Sequence, residues 1–193
     1  MAIADGLFGP HVPDGFRYAP LFVSVQEERE LATAIGGIDF AHFEMYGVVA
    51  RRRVAFFGAS YDAAAPAPPP VPAFLLPLRS RLAAWAAVGP DAFAMALINE
   101  YQPGAPIGWH RDAPQYDIVA GVSLLSPCRM RFRPYESAGL APGPRPRRVA
   151  THELVLEPRS AYLMTGESRQ AYEHHIPAVS SLRYSITFRT LRG

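Results

Sequence analysis

The chain has 193 residues, 49% of them apolar, and a formal net charge of only +2. That length suits one domain with an appended segment, the apolar share excludes wholesale disorder, and the near-neutral balance gives no global basic field for a polyanion. All 19 basic residues are arginine; without lysine, Schiff-base chemistry and a P-loop lysine are excluded. Cys128 is the only cysteine, so no internal disulfide can form, which fits a reducing compartment. Its setting, Cys128-Arg129-Met130-Arg131-Phe132, reads as a strand with the thiol buried as a small hydrophobe. Met1–Pro10 lacks the basic start and apolar run of a secretory signal, and no apolar run approaches the roughly 20 residues of a membrane span. A cytoplasmic location, no membrane partner and a monomeric state are expected.

Residues 1–23, rich in Gly, Pro and aromatics, are expected to form an extended arm. Ser24-Val25-Gln26-Glu27 is a capping-box pattern that opens a helix running to about Ile35, where Gly36-Gly37 stops it. Residues 38–61 alternate weakly and carry Phe40, Phe43, Tyr46, Phe56, Phe57 and Tyr61, with Arg51-Arg52-Arg53 among them. They read as strands or hairpins with a basic tip, and interleaved aromatics and arginines suit a stacked base and its phosphates. Residues 62–72 form a proline-rich spacer. Phe74, Leu78, Leu82 and Trp85 recur at helical spacing and predict a helix over 73–88 with a core-facing stripe.

From Phe93 onward the pattern turns to short strands bounded by Pro or Gly: 93–101, 117–125, 128–134, 149–156, 161–164 and 181–191. Several such strands without intervening helices suggest a sandwich or jelly roll. Residues 137–148 form a loop whose Arg145, Arg147 and Arg148 could touch a phosphate backbone or sit in solvent.

The chemistry centres on Asn99 to Asp112, which ends in His110-Arg111-Asp112. On a strand, residues i and i+2 share a face, so one imidazole and one carboxylate stand side by side. A further histidine would complete the two-His-one-carboxylate triad that holds non-haem Fe(II) and leaves positions open. The best source is Tyr172-Glu173-His174-His175-Ile176-Pro177, where only one of the two adjacent histidines can face the metal. Downstream, Arg183 and Arg189 lie on one strand face with Ser185 and Thr187, while Tyr184, Ile186 and Phe188 take the other. Each guanidinium can fork onto a carboxylate. Metal ligands plus two carboxylate clamps read as a site for a metal and a dicarboxylate.

Asn-x-Tyr, His-x-Asp, a distal His and Arg-x5-Arg, in that order over residues 93–190, resemble the AlkB family of Fe(II)/2-oxoglutarate dioxygenases. The resemblance implies an α+β protein with a double-stranded β-helix (jelly-roll) core. Residues 1–92 would supply the arm, supporting helices and a nucleotide-recognition lid at about 38–61, and residues 93–193 the catalytic core. The family pattern selects His174 beside His110 and Asp112 as iron ligands and turns His175 away. It implies that Arg183 with Tyr101 binds the distal carboxylate of 2-oxoglutarate, and Arg189 with Asn99 the metal-proximal one. Fe(II), 2-oxoglutarate and O2 would then serve oxidative demethylation of alkylated DNA or RNA bases. Substrate residues are expected among Tyr46, Arg51, Arg52, Arg53, Phe56 and Phe57. Nucleic-acid-repair members often carry a carboxylate two residues beyond His-x-Asp; here that position is Pro114, which leaves open a protein or small-molecule substrate. A non-catalytic, cupin-like binding module is the remaining alternative.

Overall fold

The computed structural model describes residues 12–45, 48–59, 68–135 and 151–192; Tyr46, the Ala/Pro-rich 60–67 and the loop carrying Arg145, Arg147 and Arg148 lie outside the described residues. The elements in order are β1 (Phe16–Ala19), α1 (Val25–Gly36), β2 (Ala41–Met45), β3 (Val48–Gly58), α2 (Leu76–Ala86), β4 (Met95–Tyr101), β5 (Ile107–His110), β6 (Tyr116–Leu124), β7 (Cys128–Pro134), β8 (His152–Leu156), β9 (Ser160–Met164), α3 (Gly166–Gln170), β10 (Tyr172–Ile176) and β11 (Arg183–Leu191).

Local chemistry explains α1. The Ser24 hydroxyl accepts from the Glu27 amide, closing its N-terminus, and Leu31 and Ile35 form its buried stripe. A short 3₁₀ turn at Ala73–Leu75 leads into α2, where Leu78, Leu82 and Ala83 are buried.

The strands form two antiparallel sheets. The larger runs β1-β9-β6-β11-β4-β3-β2 and the smaller β5-β10-β7-β8. The helices cover one face of the large sheet, where Leu31, Ile35, Leu78 and Leu82 pack against Phe57, Ile98, Val122, Ile186 and Phe188. A second core of Phe16, Tyr101, Met130, Phe132, Leu156 and Tyr162 joins residues of both sheets. This is the jelly-roll arrangement, two antiparallel sheets packed face to face.

The chain before residue 93 adds strands to the large sheet: β1 pairs with β9 on one side, and β3 pairs with β4 from Arg53↔Glu100 to Gly58↔Met95 on the other. β2 and β3 thus form an antiparallel pair at one edge of the main sheet. The expected basic tip is corrected. Arg51-Arg52-Arg53 lies within β3, not at the hairpin tip, so strand periodicity sends neighbouring arginines to opposite faces.

Gly121 on β6 has a specific packing role. It stands opposite Tyr162 on β9, whose ring lies so close that a Cβ at Gly121 would sit 2.2 Å from Cζ. Tyr162 is buried and stacks on Phe16 at 5.9 Å, leaving the ring little freedom to retreat. Gly121→Ala should therefore destabilise the fold by about 1–3 kcal/mol, the usual cost of overpacking, as read by urea unfolding.

Candidate active site

β10 pairs with β5 so that His174 stands directly opposite His110. Their rings lie 4.2 Å apart between centroids. Asp112 follows two residues past the end of β5, and its Oδ2 is 3.8 Å from His174 Nε2. The next residue on β10, His175, points to the other face and stacks on Trp109 at 5.0 Å. The strand period thus separates the two adjacent histidines, with His174 inside and His175 outside. Among the described residues no set of His, Cys, Asp or Glu side chains stands as a closed cation cage. His110, Asp112 and His174 are adjacent to one another.

The inward face of β11 supplies the cations. Arg189 donates to Asp112 Oδ1 from Nε at 3.0 Å and from Nη2 at 2.7 Å. Its Nη1 donates to Thr187 Oγ1 at 3.1 Å and approaches Met95 Sδ at 3.8 Å. Arg189, expected with Asn99 at the metal-proximal carboxylate, lies on Asp112 in this way, and Asn99 and Arg189 line the same cavity. Arg183 is different. It is fully buried, its Nε donates to Ser123 Oγ at 2.9 Å, and its guanidinium lies 5.0 Å from the Tyr101 ring centre. Its two terminal nitrogens have no hydrogen-bond partner.

His110, Asp112, His174, Asn99, Tyr101 and Arg189 line a cavity of about 190 Å³; Arg183 is not among the lining residues but lies against Tyr101, which is. Of the residues expected at the substrate side, Arg52 and Phe56 line this cavity. Phe57 does not: it is buried in the helix-side core. Arg53 also turns away and donates to both oxygens of Glu100, at 2.8 and 2.9 Å. Arg51 is exposed and is not part of the cavity lining.

Residues 50–189 match the family model described as the 2OG-Fe(II) oxygenase superfamily. The chain belongs to this superfamily. A curated relative from Arabidopsis thaliana, named "Alkylated DNA repair protein ALKBH8 homolog", is 28% identical over 93% of the chain, and the match spans 59% of that relative's length. The fold is similar to that of OsALKBH1, with a TM-score of 0.67 at 13% identity over 93% of this chain and 100% of that one. It is also similar to a Pseudomonas putida prolyl-4-hydroxylase, with a TM-score of 0.61 at 12% identity over 93% and 94% of the two chains. At such identities the structural likeness is one of fold.

Membership makes the chain an Fe(II)- and 2-oxoglutarate-dependent oxygenase rather than a non-catalytic module. Two features at or beside the cavity fit those groups. The first is Asp112 Oδ2, a buried carboxylate oxygen without a hydrogen-bond donor, turned toward an imidazole nitrogen. The second is the pair of unpartnered Arg183 nitrogens, a fork that a carboxylate matches. A buried charge left unanswered is costly, so both positions favour an incoming partner of opposite sign.

The electrostatics keep the oxygenase's three candidate ligands in binding form. Burial pushes the Asp112 carboxyl upward, but Arg189, then His174 and His110, outweigh it and hold it well below the usual carboxylate range. His174 is pushed down to about 3, chiefly by burial and then by His110, with Asp112 opposing. His110 is lowered by burial against the pull of Asp112 and of its 2.8 Å bond to the Gly108 carbonyl. That bond engages Nδ1 as donor and leaves Nε2 with its lone pair. Neutral imidazoles and a carboxylate are the donors such a triad needs.

Sequence reasoning passed over Ser123, which anchors Arg183, and Tyr162, which lines the cavity. Ser123 and Gly121 share parity on β6, and a Ser two residues from a Gly in an apolar strand was the only available signal.

The burial of His174 has a consequence for stability. In the unfolded chain its pKa returns to about 6.5, so between that value and about 3 the unfolded chain binds more protons than the folded one. The stabilisation is complete above the unfolded value and is lost as pH falls toward the folded one. Asp112, also lowered, adds loss of the same sign below about 3.9. With divalent metals chelated, urea-unfolding free energy should fall from about pH 7 to about pH 5, and His174→Gln should flatten that slope.

Proposed function

We propose that this oxygenase oxidatively demethylates alkylated nucleic-acid bases, and that His110, Asp112 and His174 hold its iron. Arg183, steadied by Ser123 and flanked by Tyr101, receives the far carboxylate of 2-oxoglutarate. Arg189 orients Asp112 through its oxygen Oδ1, leaving Oδ2 for the metal, and lends positive charge to the carboxylate end nearest the iron. Bound Fe(II) and 2-oxoglutarate supply the oxidation by O2 that hydroxylates an N-methyl carbon, giving succinate and CO2, after which the hydroxymethyl group leaves the base nitrogen as formaldehyde. The protein's own share is placement and exclusion of water from a cavity lined by Val54, Leu97, Val119 and Met130.

The observation that carries the nucleic-acid reading is the inward face of β3. Arg52, only 9% exposed, and Phe56, 38% exposed, project from the edge hairpin into the cavity lining. Burial holds the Arg52 guanidinium below its usual value, with Tyr101 opposing and Arg189 reinforcing. A cation so placed gains from a base carbonyl or phosphate, and an accessible ring offers stacking. The base must leave its stack to enter. The name of the Arabidopsis relative, an alkylated DNA repair protein homologue, supports the same substrate class.

Two measurements test this. Formaldehyde release should be seen with N-methylated DNA or RNA strands. Phe56→Ala should lower kcat/KM by the roughly 1–3 kcal/mol of a lost stacking contact, Arg52→Ala should lower it as well, and Arg53→Ala, whose side chain turns away, should leave it near normal. Release from methylated peptides alone would move the assignment to a protein substrate. Arg183→Met should raise the 2-oxoglutarate requirement about 10- to 100-fold, from loss of a charge-assisted fork. The same change should stabilise the cosubstrate-free protein by about 1–3 kcal/mol, because it removes an unanswered buried charge.

A further inference from the structure

The described part of the chain buries a fourth guanidinium beside the site, after Arg52, Arg183 and Arg189, and nothing assigned so far uses it. Arg169 lies on α3 and is 5% exposed. Its Nη2 donates to the Ala113 carbonyl and, at 2.9 Å, to the Tyr116 carbonyl. The Ala113 carbonyl also accepts from the Tyr116 amide at 3.1 Å, so a single side chain fastens both ends of the turn that follows Asp112. A second tie runs beside it: Arg111, on the other side of Asp112, donates from Nη1 to the Gln170 carbonyl at 3.1 Å. The last turn of α3 therefore grips the chain both before and after Asp112. The α3 helix is itself anchored, because Ser168 and Thr165 cap each other and the Ser168 amide donates to the Asp14 carbonyl. Beyond α3 the chain runs directly into β10 and reaches His174 five residues after Arg169.

Asp112 needs such a tie. It stands outside the sheet ladder, past the last residue of β5, so strand pairing does not fix its backbone. Arg189 restrains only one carboxylate oxygen, Oδ1. The direction of Oδ2 toward His174 then depends on where the 112–116 turn sits. We infer that Arg169 is a positioning residue for the metal: by clamping the Ala113 and Tyr116 carbonyls to α3, it holds Asp112 Oδ2 in register with His174. A guanidinium suits the task because its terminal nitrogen Nη2 carries two N–H donors and serves both carbonyls from one side chain. The inference rests on the reading of Asp112 and His174 as metal ligands, and the experiment separates failure of one from failure of the other.

The test is a calorimetric titration of the chelator-stripped full chain with Mn2+, without turnover, on the parent and on Arg169→Met, Arg169→Lys, Asp112→Ala and Leu82→Ala. Leu82 lies in the helix-side core, so Leu82→Ala reports how much Mn2+ affinity a loosened fold loses. Arg169→Met should weaken Mn2+ about 10- to 100-fold, as loss of an orienting partner does at metal sites. Arg169→Lys, which keeps a donor and the charge, should recover part of that loss. Leu82→Ala should bind Mn2+ near normally, and Asp112→Ala should lose binding. Parent-like affinity in Arg169→Met, or an equal loss in Leu82→Ala, would overturn the positioning role while leaving the ligands in place. Parent-like affinity in Asp112→Ala would overturn the ligand assignment and the inference with it. Should Arg169→Met fail to fold, Arg169→Gln, which can donate to one carbonyl, is read by the same criteria.

Discussion

An ion pair buried between two sheets is the constraint on which the rest of this structure depends. Arg189 comes from the central strand of the large sheet and Asp112 from just beyond the edge strand of the small one, and they meet with both side chains almost wholly buried. Two ions taken from water repay their desolvation only when geometry and hydrogen bonds are good. Here they are: two donors fall on one carboxylate oxygen, while Thr187 occupies the remaining arm of the guanidinium. The pair fixes how the sheets face each other, and it biases Asp112 so that its other oxygen stays without a donor. Stability is given up at that oxygen and at the terminal nitrogens of Arg183. An apolar filling would make a firmer sandwich and would bind neither metal nor diacid.

The same strand, β11, explains why much of the fold was legible. Its residues alternate apolar Tyr184, Ile186 and Phe188 against polar Arg183, Ser185, Thr187 and Arg189, and the structure buries both faces, one on the helices and one on the cavity. Period-2 alternation is a local property, so it can be read without knowing the partners. Ser24 as the cap of α1 and the Cys128–Pro134 strand were legible for the same reason. The pairing of β5 with β10 is non-local, yet a single strand's period already required His174 and His175 to diverge.

What was missed depends on contacts that a single segment does not announce. β1 is four residues long and becomes a strand through its pairing with β9, and α3 spans five residues held by capping. The arginine run in β3 is the clearest case. Three adjacent cations look like one basic patch, but a strand presents them alternately: Arg52 goes to the cavity, while Arg53 crosses to Glu100. The register β3↔β4 decides this, and register is set by the whole sheet. Arg189 was placed on the correct face, but its contact with Asp112 was not legible, because the loop carrying Asp112 leaves the strand and turns back toward it.

The central claim is that one cavity joins a metal held by His110, Asp112 and His174 to a diacid held by Arg183. A crystal structure of the protein grown anaerobically with Mn2+ and 2-oxoglutarate addresses it most directly. The expected density has the metal bonded to His110 Nε2, Asp112 Oδ2 and His174 Nε2, with the far carboxylate of the diacid on the two terminal nitrogens of Arg183. Metal on His175, or a diacid bound elsewhere with the Arg183 nitrogens still unpartnered, would contradict it.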